Sequence, residues 1–118
     1  MTGMKAWIYA RVNPEDIGSI YAQIADGKVL AKQRGWTVAG ESQELGNGRD
    51  AGHSEFQRLL TAIEGGEAGA VVAVDWTRLA RSPERRKRLL EAGKGKGIVV
   101  ALVTGGDFDL SALDGLPE

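Results

Sequence analysis

The sequence predicts an α/β sandwich of three layers, α/β/α, built on a mostly parallel sheet of four to five strands. Two apolar runs, Ala70 to Val74 (AVVAV) and Ile98 to Thr104 (IVVALVT), are uninterrupted by charge, the pattern of strands covered on both faces. Strand-like and helix-like segments alternate along the chain, and the helical ones open on capping residues shortly after a strand or loop. This order implies parallel strands joined by right-handed helical crossovers.

The first strand is Lys5 to Val12 (KAWIYARV), rich in aromatic and β-branched residues and stopped by Asn13-Pro14. Asn13 is a favoured helix N-cap, Pro14 suits the first helical position, and Glu15 and Asp16 complement the helix dipole. Ile17, Ile20, Tyr21 and Ile24 follow at helical spacing, so one helix is expected from there to Arg34, with Gly35 ending it. Trp36 to Leu45 reads as a second strand, and Gly46 to Gly52 (GNGRDAG) as a flexible loop.

Ser54-Glu55-Phe56-Gln57 matches a capping box, and Phe56, Leu59, Leu60 and Ile63 form one apolar stripe, predicting a helix over about 55–64 that Gly65-Gly66 ends. AVVAV should be central in the sheet. Ser82-Pro83-Glu84 repeats the cap-then-proline opening and launches a basic helix that decays through three glycines. IVVALVT is a further buried strand. The segment 105–118 holds Asp107, Asp109, Asp114 and Glu118 with no basic residue, and reads as a loosely ordered acidic tail.

The 118 residues make one domain, 1–118, large enough for a real core. A formal charge of −1 argues against a whole-chain polyanion binder, so any basic surface must be local. The absence of cysteine excludes disulfides, thiolate catalysis and cysteine metal sites, and a single histidine excludes a multi-imidazole site. No cofactor and no metal are expected. No apolar run approaches the roughly 18 residues that cross a bilayer, and the N-terminus lacks an export-signal layout. A cytoplasmic protein without a membrane partner is expected by default.

In sheets of this kind ligands gather beyond the carboxyl ends of the strands. Arg11, the 45–53 loop and the 75–81 segment all follow strands and should converge there. Three guanidiniums, Arg11, Arg78 and Arg81, beside the helix starts at Asn13 and Ser82 make a phosphate-binding constellation; the competing reading is three ordinary surface or ion-pair arginines. Residues 78–96 carry eight Lys or Arg, Arg85 among them, against two acids. That is either a nucleic-acid footprint or a solvated helix face. His53 is placed to contact phosphate or shuttle a proton, or else is simply exposed. Trp7 and Trp36 sit in predicted strands and read as core, whereas Trp76 lies at the edge of the site, where it could stack on a base.

These residues in this order resemble the catalytic domain of the serine recombinases, the resolvase/invertase family. The resemblance rests on YARV after the first strand, Gln23 in the first helix, Gly35-Trp36, the glycine-rich loop leading to FQRLL (56–60), and RLARS (78–82) after AVVAV. It covers roughly residues 4–110 and implies a resolvase-like fold and DNA strand cleavage and rejoining through a phosphoserine link, with arginines stabilising charge on phosphorus oxygens. The family's serine follows YARV directly, and here that position is Asn13. An amide nitrogen, its lone pair delocalised, is no comparable nucleophile, although it caps a helix well.

By the same resemblance Thr77 stands where an aspartate belongs, Asn47 replaces the loop serine, and His53 replaces an arginine at the second helix. Arg11, Arg78 and Arg81 match. The implied catalytic set is Asn13 (substituted), Arg11, Arg78, Arg81 and Thr77 (substituted). The implied DNA or phosphate contacts are Arg11, Asn47, His53, Arg78, Arg81 and Arg85. By the resemblance, family members continue with a dimerisation helix and, in most, a separate DNA-binding domain; a single domain without a C-terminal DNA-binding domain is expected here.

Three functions follow as expectations. One is a recombinase-like domain that binds DNA without cutting it, alone, as a homodimer or with a partner recombinase chain, as a remnant of a mobile element or a regulator. Another is an active recombinase using a displaced hydroxyl, Ser19 or Ser82, with Asp75 standing in for the missing aspartate. Ser19 is expected about two helical turns from Asn13, roughly 9 Å along the axis. The third is a small nucleotide-binding regulatory domain, which the lack of a P-loop or GxGxxG after the first strand disfavours.

Overall fold

The computed structural model describes residues 4–47, 50 and 52–115. Positions 48, 49 and 51 of the predicted loop, and 116–118 of the predicted tail with Glu118, lie outside the described residues. The elements are β1 (Lys5–Val12), α1 (Ser19–Gln33), β2 (Thr37–Leu45), α2 (Ser54–Glu64), β3 (Ala70–Ala73), α3 (Trp76–Leu79), α4 (Pro83–Gly93), β4 (Val99–Leu102) and β5 (Gly106–Asp109). Short 3-10 turns occupy Pro14–Asp16 and Leu110–Gly115. The sheet runs β2-β1-β3-β4-β5, parallel throughout except for β5, which pairs antiparallel with β4.

Strand periodicity sorts the core into two layers. Ala6, Ile8, Ala10 and Val12 of β1, with Ala70 and Val72 of β3, face Ile20, Ile24, Leu30 and Ala31 of α1. The alternate residues Trp7, Tyr9, Val71 and Ala73 face Phe56, Leu59 and Ile63 of α2 and Leu89 of α4. AVVAV is central, as expected, because both of its faces are covered. The same alternation sends Arg11 to the α2–α4 side, where only three per cent of its surface is exposed.

Local chemistry explains the joints. Gly35, at φ 75°, closes α1: its N–H donates to Lys32 O at 3.0 Å and the Trp36 N–H donates to Ala31 O at 2.9 Å, the paired bonds of a Schellman stop. Gly40 of β2 lies over Trp7, where a β-carbon would stand 2.4 Å from the indole ring. Trp7 donates from Nε1 to Ser42 Oγ at 2.9 Å, and Ser42 donates on to Glu55 O at 2.8 Å. Ser82 caps α4 as predicted, its hydroxyl accepting the Arg85 N–H at 3.2 Å.

Four expectations are corrected. The helix predicted from Asn13 to Arg34 is split: Pro14–Asp16 form a 3-10 turn, and α1 begins only at Ser19. Asn13 stands at the N-cap of that turn, its carbonyl accepting the Asp16 N–H at 2.9 Å, but its side chain makes no cap bond. The cap of α2 is His53, whose Nδ1 accepts the Glu55 N–H at 3.1 Å, and Ser54 is the first helical residue. Trp36 precedes β2 and packs half-buried against the α1-side core.

The start of the acidic tail is ordered. Residues 106–109 form an edge strand, and Leu110 and Leu113 are buried against the α4 side. Burying two leucines is worth about 1.5–3 kcal/mol each, which offsets much of the entropy of ordering the turn. Arg34 also grips Asp107 with two bonds of 2.8 and 2.9 Å, holding that carboxyl below the usual carboxylate range. Among the described residues no helix is long and apolar enough to cross a membrane.

Candidate functional site

The site forms where β1 ends. The Arg11 N–H donates to Gln23 Oε1 and the Gln23 Nε2 donates to Arg11 O, both at 3.1 Å, so a buried glutamine of α1 takes over the backbone bonds of the last strand residues. The Arg11 guanidinium then reaches across the sheet edge. Nη1 donates to Gly46 O after β2 and Nη2 to Thr77 O in α3, each at 2.9 Å. Its Nε–H is buried and has no partner.

Arg11, Val12, Asn13, Asp16, Ser19, Arg78 and Arg81 line one cleft of about 220 Å³. Arg78 is half-buried, and its Nε–H is also buried without a partner. Arg81 is exposed and donates from Nη1 to Asn47 O at 3.2 Å. Burial, followed by the charge of Arg78, lowers the Arg11 pKa, with Glu44 acting in the opposite direction. A cleft that crowds cations in this way favours an anion, whose charge relieves their repulsion.

The other predicted residues are placed as follows. Thr77 is exposed; its hydroxyl donates to Asp75 Oδ1 at 2.8 Å and only its carbonyl touches Arg11. Asp75 caps α3, its Oδ1 also accepting the Arg78 N–H at 3.0 Å, and it does not line the cleft. Asn47 meets Arg81 through its carbonyl. Half-buried His53 is occupied as a cap and lies outside the lining, and so does Ser82. Trp76 packs on Phe108 with ring centroids 4.7 Å apart, so its ring is spent on the fold and not offered to a base.

Arg85 is a correction. The resemblance implies a phosphate contact for it on a basic surface, yet its side chain is entirely buried. Nη1 and Nη2 donate to the two carboxylate oxygens of Glu44 at 2.7 Å each, Nη2 also donates to Asp50 O at 2.7 Å, and the guanidinium lies 4.5 Å from the Phe56 ring centroid. Tyr9 donates its hydroxyl to Glu44. Burial opposes the charge on Arg85, but the Glu44 bonds outweigh it and raise the pKa. A cation facing inward on a basic helix cannot be told from its neighbours by composition; the available signal is helical spacing, which puts Arg85 on the same buried face as Leu89 and Ala92.

Sequence reasoning also misplaced Ser19. A continuous helix would carry it away from Asn13, but the break at Ile17-Gly18 brings both residues to the same cleft. Asp16, which the sequence assigns only to complementing a helix dipole, also lines the cleft.

The comparisons with known proteins agree with this architecture. The family model described as "Resolvase, N terminal domain" matches residues 6–115. The N-terminal catalytic domain of TP901-1 integrase superposes with a TM-score of 0.77 at 23% identity, covering 94% of this chain and 92% of that one. The C-terminal catalytic domain of ISC1926 TnpA, an IS607-like serine recombinase, gives 0.77 at 22%, with 86% and 69% covered. A resolvase family site-specific recombinase from Streptococcus pneumoniae gives 0.74 at 23%, with 96% and 85% covered. No curated protein matches the chain. At such identities the structures speak for the fold, and the family model, which spans nearly all of the sequence, supplies the kinship: this chain belongs to the serine recombinase family, through its resolvase N-terminal domain.

Proposed function

We propose that this domain holds a DNA phosphate in the Arg11–Arg78–Arg81 cleft and does not form the family's phosphoserine link at the position after Val12. The carrying observation is the cleft itself, which gathers three arginines around Asn13. The carboxamide of Asn13 donates hydrogen bonds to a phosphate oxygen but presents no nucleophilic lone pair. DNA is the natural bearer of the phosphate in this family. A homodimer or a partner recombinase chain would supply further contacts to the duplex, and a cytoplasmic regulator or mobile-element remnant would fit this activity.

The exposed Arg81 offers the cleanest test. Arg81→Ala is expected to weaken binding of duplex DNA uniformly across sequences and to reduce the slope of log K against log salt by about 1. Titrations at several salt concentrations read both quantities; an unchanged slope would refute phosphate contact by this residue.

One observation favours a second reading, an active enzyme. Ser19 is exposed in the same cleft, its hydroxyl donating only to Asp16 O at 3.0 Å. Its Oγ would attack phosphorus, release one strand oxygen as a hydroxyl bearing the serine proton, and keep the other strand end as a phosphoserine ester. This version predicts a protein–DNA adduct that survives denaturant and vanishes in Ser19→Ala. Gels of wild type without any adduct reject it.

A further inference from the structure

We propose that the outer face of α1 docks a second copy of this chain, the two α1 helices pairing antiparallel about a twofold axis. Among the described residues α1 is the only helix on its side of the sheet, whereas α2, α3 and α4 share the other. A helix so placed buries one apolar stripe and turns polar residues to solvent. Here Ile20, Ile24, Leu30 and Ala31 are buried against the strands, yet the opposite face is apolar too. Tyr21, Ala22, Ala25 and Val29 are exposed on it, and Ile17 is exposed just before the helix. Ile17, Tyr21, Ala25 and Val29 recur at every fourth position, so they form one ridge. Of the seven large apolar side chains exposed among the described residues, three lie on this ridge. A fourth, Val103, shares a groove of about 310 Å³ with Val29 and Leu30. Single exposed apolar residues need no explanation, but a contiguous row marks an interaction site.

Charge selects the occupant. Glu15 and Asp16 stand at the entry to α1, and Lys28, Lys32 and Arg34 at its far end, with Asp26 the one acid near them. Lys28 meets Glu41 at 3.6 Å and Arg34 is tied to Asp107, while Lys32 is exposed. A surface acidic at one end and basic at the other is complementary to itself when turned end for end. With Ile17 opposite Val29 and Tyr21 opposite Ala25, Glu15 and Asp16 of one copy come beside Lys32 of the other, and the helix dipoles oppose each other favourably. Asp26 falls opposite Ile20, a full turn from Asp16. Gly18, Ala22 and Ala25 project little, which lets the axes approach to about 8 Å and seats the Tyr21 ring. A parallel pair would instead set acids against acids and lysines against lysines. Asp16 is the one residue this face shares with the arginine cleft, so the inference does not rest on the phosphate reading.

The test is sedimentation velocity of the full chain over a range of concentrations. A reversible dimer with a Kd on the order of micromolar is expected, the weak end for a small interface. Val29→Glu, which faces Glu15 and Asp16 of the other copy, should raise the Kd by about tenfold or more, and Val29→Lys should raise it less. Position 29 is exposed, and circular dichroism checks that both variants fold. Val38→Glu, an exposed apolar position on β2, should leave the Kd unchanged. The chain has no cysteine, so an oxidised mixture of Tyr21→Cys and Ala25→Cys chains reads the register: the mixed disulfide should form in preference to either symmetric one. A chain that sediments as a monomer at every concentration overturns the proposal and leaves the face to a different partner. A dimer indifferent to Val29→Glu, or weakened more by Val29→Lys, overturns the antiparallel α1 contact.

Discussion

Arg85→Met is expected to destabilise the folded chain by about 3–5 kcal/mol, since it strands the Glu44 carboxylate in the interior without its cation. Both side chains are essentially inaccessible, at 0% and 1% exposure. Chemical unfolding monitored by circular dichroism measures the loss. The double variant Arg85→Met with Glu44→Gln should recover a large part of it, because removing both charges removes the desolvation penalty. If the single variant lost less than about 1 kcal/mol, the pair would behave like a surface salt bridge and its buried placement would be wrong.

The same cluster sets an alkaline limit. Burial, then the hydrogen bond and charge of Glu44, raise the Tyr9 phenol pKa well above its ordinary value. A group that binds its proton more tightly when folded contributes stability that is complete below the unfolded pKa, about 10 for tyrosine, and lost as pH climbs beyond it. Unfolding midpoints of the wild type should therefore fall above about pH 10, and the fall should be shallower in Tyr9→Phe.

Asn13→Ser carries the largest expected change in activity. The substitution puts a hydroxyl beside Arg11, Arg78 and Arg81 without disturbing the core, because Asn13 is exposed and its side chain makes no cap bond. On plasmid DNA the variant is expected to raise covalent protein–DNA adduct by on the order of a hundredfold or more over wild type, the scale on which losing a nucleophile acts in enzymes. Denaturing gels with labelled DNA quantify it. Equal adduct in both proteins would show that the wild type already has a nucleophile, pointing to Ser19; none in either would mean that arginines and a hydroxyl are insufficient without an aspartate in place of Thr77.

Much of the fold was legible because it depends on local pattern. AVVAV and IVVALVT announced buried strands through their lack of charge, and Gly35 announced the end of α1 through its left-handed backbone. The site was partly legible for the same reason: Arg11, Arg78 and Arg81 follow strands directly, so strand order alone carries them to one edge. Asp107, Phe108, Leu110 and Leu113 were not legible, because their order comes from Arg34, Trp76 and the α4 side, all distant in sequence. Ser19 was misjudged since a two-residue break in a helix alters no periodicity that a reader can count.

By itself, then, the sequence determined the alternation of strands and helices, the family, and the replacement of the expected hydroxyl by Asn13, all of which depend on residue type and order. Only the tertiary structure decided which charges face the ligand. Arg85 and Arg81 are four residues apart, yet one is sealed against Glu44 and the other opens on the cleft. Burial and pairing, which govern what an arginine can do, arise from contacts between elements far apart in the chain.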